Sequence, residues 1–217
     1  MYRKHSGDYT FVRTIEHAEF GAPQAVAVTP GAGGRVWVAD FESNRVQVFS
    51  KAGAHLLTIG EDGQEGHPRD GNNEFYNPAA ICVDSDPGGC VYVVDCFNNR
   101  VQVFSQAGAY VRTLGGNGRG DGNNQFNHPT GVAVEGGAAG RVFVSDLENG
   151  RVQVFTKAGV FLRTIGGRKP MFEHAVDFQG AYLEFLDIRP DDVAVVGDEQ
   201  LYVVDGRRHR VFVYLTR

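Results

Sequence analysis

The residues with the clearest chemical potential are four aspartates, each followed five positions later by an arginine: Asp40/Arg45, Asp95/Arg100, Asp146/Arg151 and Asp205/Arg210. Four carboxylates could gather a metal ion or work as acid and base. A carboxylate next to a guanidinium can also tie a tight turn, accepting backbone N–H groups while it meets the arginine. Every copy of the surrounding segment carries the same pair, and this favours the structural role.

"DGNN" occurs at 70–73 and 121–124 and offers oxygen ligands for calcium. Neither copy has the D-x-D-x-D-G loop with a distal glutamate, so both read as ordinary loop formers. His17, His67, His128 and His174 fall in loops of differing spacing, and only His128 adjoins a proline that opens one of the apolar segments. Cys82, Cys90 and Cys96 are odd in number and lack C-x-x-C spacing, which fits neither a disulfide framework nor a zinc site. No G-x-S-x-G, P-loop or H-E-x-x-H pattern occurs. The expectation is no catalytic residue, no metal and no cofactor.

What must position these residues is a repeat. The four aspartates lie 55, 51 and 59 residues apart, and around each the same four apolar segments recur in order. Segment a starts at a proline: "PQAVAV" from Pro23, "PAAICV" from Pro78, "PTGVAV" from Pro129 and "PDDVAV" from Pro190. Segment b carries an aromatic residue and ends at the aspartate: "RVWVAD", "CVYVVD", "RVFVSD" and "QLYVVD". Segment c is "RVQVF" in three copies and "RVFVY" from Arg210 in the fourth, and segment d is "HLLTIG", "YVRTLG" and "FLRTIG". Alternating or strand-rich runs bounded by Gly, Asn and Asp are β-strands, and four per unit of about 50 residues define a propeller blade.

The ends of the chain are out of phase with the blades. "YTFVRTI" at 9–15 is a d-type strand with no blade before it, and the last unit stops after segment c. The expected fold is all-β, a single domain over 1–217 with repeats at about 20–60, 75–116, 126–167 and 187–217. Strand 9–15 would pair with the last blade and close a ring of four, leaving no free edge. The alternative is an open arc or a fragment of a six-bladed ring.

Composition sets the outer limits. Of 217 residues 42% are hydrophobic, and 21 Lys and Arg against 26 Asp and Glu leave a net charge of −5, which counts against a protein that grips nucleic acid over its whole surface. No run approaches the roughly 20 apolar residues of a membrane helix, and the first twenty residues hold no signal-peptide core. A cytoplasmic protein with reduced thiols is expected.

Residues 127–166, "NHPTGVAVEGGAAGRVFVSDLENGRVQVFTKAGVFLRTIG", resemble an NHL repeat, and the other three copies extend the resemblance over nearly the whole chain. NHL propellers often serve as the substrate-reading or RNA-reading part of ubiquitin ligases, so the resemblance implies recognition. This chain lacks a RING-like Cys/His array. Some similar propellers are zinc-dependent lyases whose histidines follow the proline of segment a. That slot here holds Gln24, Ala79, Thr130 and Asp191, so the ligand set is missing.

Function is therefore sought where the copies differ. The a–b and c–d connectors are plain turns such as "SKAG" and "EGGAAG", whereas the d–a and b–c loops on the opposite face are long and irregular. The expected partner-binding residues are Arg207, Arg208 and His209 at the fourth b–c tip, Arg168 and Lys169 opening the stretch 167–186 that departs from the repeat pattern and reads as an enlarged loop before the fourth unit, and Phe41, Phe97, Asn98 and Leu147 at the other tips. An apolar anchor among arginine and asparagine suits a protein or peptide ligand. RNA is the alternative, through the basic cluster; no membrane and no small-molecule substrate is expected.

Overall fold

The computed structural model describes residues 11–60, 71–116, 118–167, 190–196, 200–206 and 209–215. Blade 1 is built from β1 (Pro23–Val28), β2 (Arg35–Asp40), β3 (Arg45–Ser50) and β4 (His55–Ile59). Blade 2 holds β5 (Pro78–Val83), β6 (Cys90–Asp95), β7 (Arg100–Ser105) and β8 (Tyr110–Gly115). Blade 3 holds β9 (Pro129–Val134), β10 (Arg141–Asp146), β11 (Arg151–Thr156) and β12 (Phe161–Gly166). Blade 4 holds β13 (Pro190–Val196), β14 (Gln200–Asp205) and β15 (Arg210–Leu215). Each sheet is antiparallel with its strands in chain order.

Alternation along each strand sends one set of side chains to the preceding blade and the other to the next. Between blades 1 and 2, Trp37, Val46, Val48 and Ile59 pack on Ile81, Val91, Val93 and Phe104. Blades 2 and 3 meet through Tyr92, Val101, Val103 and Leu114 against Val132, Val142, Val144 and Phe155. Blades 3 and 4 meet through Phe143, Val152 and Val154 against Val193, Leu201 and Val203. The aromatic slot of the b strand is thus filler between blades, and Cys82 packs in the second of these cores.

The residue before each c-strand arginine explains part of the repeated spelling. Asn44, Asn99 and His209 have φ of 54, 54 and 53°, and Gly150 has 65° in the same position. The b–c corner needs a left-handed residue, a conformation that glycine and asparagine adopt most readily and histidine less so.

Of the two arrangements expected, the described residues match the open arc. β1, β5, β9 and β13 lie side by side along its inner edge, while the outward faces of blades 1 and 4 are exposed. Residues 11–15, expected as the fourth strand of blade 4, touch the c–d turn of blade 1 and, among the described residues, do not pair with β15. There Arg13 donates to the carbonyl of Ala52, and both Arg13 and Ile15 rest on the turn at Gly53. Contact with the neighbouring turn, which the d strands of blades 1 and 2 also make, holds this segment at the start of the arc.

Candidate binding face

The c strand organises the loop-rich face. In blade 2 the Arg100 Nε donates to Asp95 Oδ2 at 2.7 Å, and its Nη2 donates to the carbonyls of Gly71 and Glu74, each at 2.8 Å. Gln102, fully buried, accepts the Asn73 N–H at 3.0 Å and donates to the Glu74 carbonyl at 2.5 Å. Asp95 accepts the Tyr76 N–H at 2.7 Å. Blade 3 repeats the clamp with Arg151, Gln153 and Asp146 on Gly122, Asn124, Gln125 and Asn127. The "GNN" stretches are therefore held by the strand behind them. Burial pushes the Asp95 carboxyl up, against the pull of Arg100 and of the hydrogen bonds from Tyr76 and Asn98.

A second feature of these loops escaped the sequence reading. Phe20, Phe75 and Phe126 each stand three residues before the proline of an a strand. Their rings pack on the c-strand Phe49, Phe104 and Phe155 at centroid distances of 5.6, 6.0 and 5.9 Å. The glycine ending the d strand makes room: a Cβ on Gly115, at φ 76°, would stand 2.6 Å from the Phe126 ring. The signal was the recurring E/Q-F-x-x-P.

Blade 1 departs from this design. Its loop is shorter, and Arg45 Nη1 meets the Glu19 carboxylate at 2.8 Å. Gln47 Oε1 is approached by Thr58 Oγ1 at 2.7 Å and His55 Nε2 at 3.0 Å, whereas its buried Nε2 has no partner among the described residues.

On the outer surface of the clamped loops lies an aromatic strip. Phe97 is 42% and Tyr76 47% exposed; their rings stack at 5.1 Å, and His128 meets Phe97 edge-on at 4.8 Å. The backbone fixes the strip, because Phe97 N–H donates to the Tyr76 carbonyl at 3.1 Å and His128 N–H to Asn99 Oδ1 at 2.9 Å. Phe41 and Leu147 occupy the same corner position in blades 1 and 3 and are half-buried. Their N–H groups likewise reach d–a loop carbonyls, of Ala22 and His128. The corner of one blade also grips the loop of the next: Asn77 N–H donates to Asn44 Oδ1 at 2.8 Å, and Asn77 Nδ2 to the Phe41 carbonyl at 3.1 Å.

The expected partner residues thus separate. Phe41, Phe97 and Leu147 share one face, and Tyr76 and His128 join them. Asn98 donates to Asp95 Oδ2 at 2.9 Å, so its amide braces the corner. His209 is exposed at the fourth tip. Arg168, Lys169, Arg207 and Arg208 lie outside the described residues, as do His67 and His174. His17 packs against Phe20, Phe49 and His55. Arg210 lies over the Phe212 ring at 5.2 Å, and its backbone pairs with Asp205. The cysteines are unpaired; burial pushes the Cys82 and Cys90 thiols up, and that of Cys96 to about 12. Among the described residues no helix is long and apolar enough to cross a membrane.

Four successive antiparallel sheets packed face to face, with strands in chain order, define a β-propeller architecture. The NHL repeat model matches residues 20–49, 126–155 and 188–214, spanning the first three strands of blades 1, 3 and 4, so the chain carries NHL repeats in three of its blades. It is 34% identical over 129 residues to human NHL repeat-containing protein 3, covering 56% of this chain and 35% of that protein. It is 26% identical over 155 residues to Protein brain tumor of Drosophila melanogaster, covering 71% and 13%. With peptidyl-glycine alpha-amidating monooxygenase B of Xenopus laevis it shares 27% over 222 residues, covering 83% and 25%. The chain therefore spans about a third or less of these relatives. In fold it is similar to the nidogen/laminin complex structure, with TM-score 0.63 and 16% identity over 94% of this chain and 63% of that one. U3-55K gives TM-score 0.58 and 13% identity over 93% and 54%.

Proposed function

We propose that the protein is a non-enzymatic recognition scaffold that binds a protein or peptide segment on the face carrying the d–a and b–c loops. The supporting observation is the Tyr76–Phe97–His128 strip, two exposed rings in tilted contact with a half-buried imidazole edge-on to Phe97, in a chain whose other large aromatic side chains mostly fill the interfaces between blades. Rings held by main-chain hydrogen bonds present apolar area at little entropic cost, the quality of a binding anchor. Phe41 and Leu147 extend the strip toward blades 1 and 3, with Glu42 and Glu148 beside them. A ligand with an apolar anchor and a neighbouring basic residue fits that surface. The finer assignment, substrate recognition linked to ubiquitination, is supported by the resemblance of the repeats alone. A cytoplasmic location fits the unpaired thiols. Lyase chemistry has less support, since Gln24, Ala79, Thr130 and Asp191 hold the positions where that resemblance would place zinc ligands.

Random displayed peptides selected on the wild-type protein test the reading, followed by calorimetric titration of wild type, Phe97→Ala and Tyr76→Ala. Each change is expected to weaken the selected peptides by about tenfold or more, with the melting temperature little altered because both side chains are substantially exposed. Peptides that bind both variants as well as wild type would remove the strip from the interface. If no peptide binds and single-stranded RNA does, with affinity falling steeply with salt, the RNA alternative replaces this reading.

A further inference from the structure

Building on the recognition reading, we propose that the loop face takes a partner segment in the polyproline II conformation, which sets a lysine or arginine against Glu42 and, three residues along, an apolar side chain on the Tyr76 and Phe97 rings. The tip slot two residues after the b-strand aspartate makes the case. It holds Glu42, Phe97 and Glu148 in blades 1, 2 and 3, at corners that pair identically, Asp40↔Arg45, Asp95↔Arg100 and Asp146↔Arg151. The backbone fixes this slot in the same way in two of them: Phe97 and Glu148 donate their N–H groups to the Tyr76 and Asn127 carbonyls at 3.1 and 3.0 Å. Glu42 belongs to the corner that holds Asn77, the neighbour of Tyr76, through Asn44 Oδ1 at 2.8 Å. On consecutive blades an exposed ring thus stands between two carboxylates.

The charges around the ring set the sign of the ligand. Arg45, Arg100 and Arg151 are drawn into the clamps and are only 7, 6 and 9% exposed, while Glu42 is exposed. Arg119 and Asp121 are both exposed in the third loop and offset each other. Glu148 is half-buried and has contacts of its own, so Glu42 supplies the stronger attraction. The spacing of the blades sets the conformation. Packed sheets stand about 10 Å apart, and matching slots of successive blades recur at about that step. A polyproline II helix turns once in three residues of about 3.1 Å each, about 9 Å per turn, and brings every third side chain to the same side. A β-strand repeats a face every two residues, about 7 Å, and falls out of step with the blades. Such a segment is also extended before it binds, so little order has to be imposed on it, and aromatic surfaces are where it docks. The pattern read by the face is therefore basic-x-x-apolar, and a second basic residue three positions further on would face Glu148.

The probe is a fluorescein-labelled peptide, Arg-Pro-Pro-Leu-Pro-Pro-Arg, titrated with the wild-type protein and followed by anisotropy; its spacing reads the same in both chain directions. Shortening each spacer to a single proline is expected to weaken binding about tenfold, as is Phe97→Ala. Glu42→Lys is expected to weaken the basic peptide about fivefold or more and to favour a peptide with glutamate in place of both arginines, a reversal that mere destabilisation of the protein does not produce. Added salt should shrink that difference, because Glu42 is exposed. No binding up to about 1 mM, equal affinity for the two spacings, or a Glu42→Lys protein that holds the basic peptide as tightly as wild type overturns the proposal. Randomly selected peptides that depend on Phe97 yet lack a basic residue three positions from an apolar one overturn it too, and leave the recognition reading standing. Selected peptides indifferent to Phe97→Ala remove both.

Discussion

The buried glutamine of the c strand occupies one position in three blades with two kinds of surroundings, so Gln47→Met, Gln102→Met and Gln153→Met form a controlled series. In blade 2 the change removes hydrogen bonds to the Asn73 N–H at 3.0 Å and the Glu74 carbonyl at 2.5 Å. A net loss of about 1 kcal/mol per bond, with a further penalty for an amide left unpaired, is partly offset by burying a more apolar side chain. The Glu74 carbonyl keeps its bond from Arg100, which limits the damage to about 2 kcal/mol. Gln153 has the same partners in blade 3 and the same expected cost.

For Gln47 the balance differs. Methionine there gives up the bonds with Thr58 and His55, groups near solvent that water can satisfy. It also removes a buried N–H without a partner among the described residues, whose burial itself costs about 1 to 3 kcal/mol. The net change is expected within about 1 kcal/mol of zero, so the series should split by about 2 kcal/mol, near thirtyfold in the folding equilibrium. Urea unfolding checks this, followed by the fluorescence of Trp37, the single tryptophan, buried between blades 1 and 2, and by circular dichroism for the whole chain. Three variants equal within about 0.5 kcal/mol would falsify the claim that the glutamine stabilises the fold through its loop.

Two further outcomes follow from the electrostatics. Lys157 Nζ lies 2.8 Å from both Asp84 Oδ2 and Asp86 Oδ2, joining the c–d turn of blade 3 to the a–b turn of blade 2. Its hydrogen bond, then that of the Gly137 backbone, holds Asp86 below the usual carboxylate range. A carboxylate lowered in the fold stabilises above its unfolded pKa and loses that effect as pH falls through the folded one. Lys157→Met should therefore melt slightly below wild type at neutral pH, the gap persisting to about pH 4 and fading below it; a gap that widens in acid contradicts the pairing. Burial raises the thiols of Cys82 and Cys96, so at pH 8 a thiol reagent should label both slowly until denaturant is added, with half-buried Cys90 reacting first. Cys82 modified at the rate of a free thiol would place it outside the core.

The strands were legible because their physics is local. Prolines mark the a strands and aspartates end the b strands, and alternation does the rest. The clamp was not legible, because Gln102 and Gln153 reach residues 28 and 29 positions earlier in the chain, across two intervening strands. Its invariant parts, Gln and E/Q-F-x-x-P, stand in separate segments and read as filler and loop until they are brought together. The aromatic strip was half legible: Phe97 stood out as an apolar residue on a b–c tip, while Tyr76 and His128 belong to d–a loops that the fold lays beside it.

The segment at 11–15 shows the limit most clearly. Its residues identify it as a d strand, since Val, Arg, Thr and Ile at 12–15 repeat the spacing of β8 and β12. A d strand needs two neighbours, the c strand it pairs with and the next blade whose turn it touches. The second is specified within the chain, through the Ala52 carbonyl and Gly53. The first is specified only by type: any c strand with an open edge and valines at the matching register will serve, whether in the same molecule or another. Local sequence can encode which kind of strand a segment is, but which copy of a repeated partner it joins depends on the angle through which the blades turn.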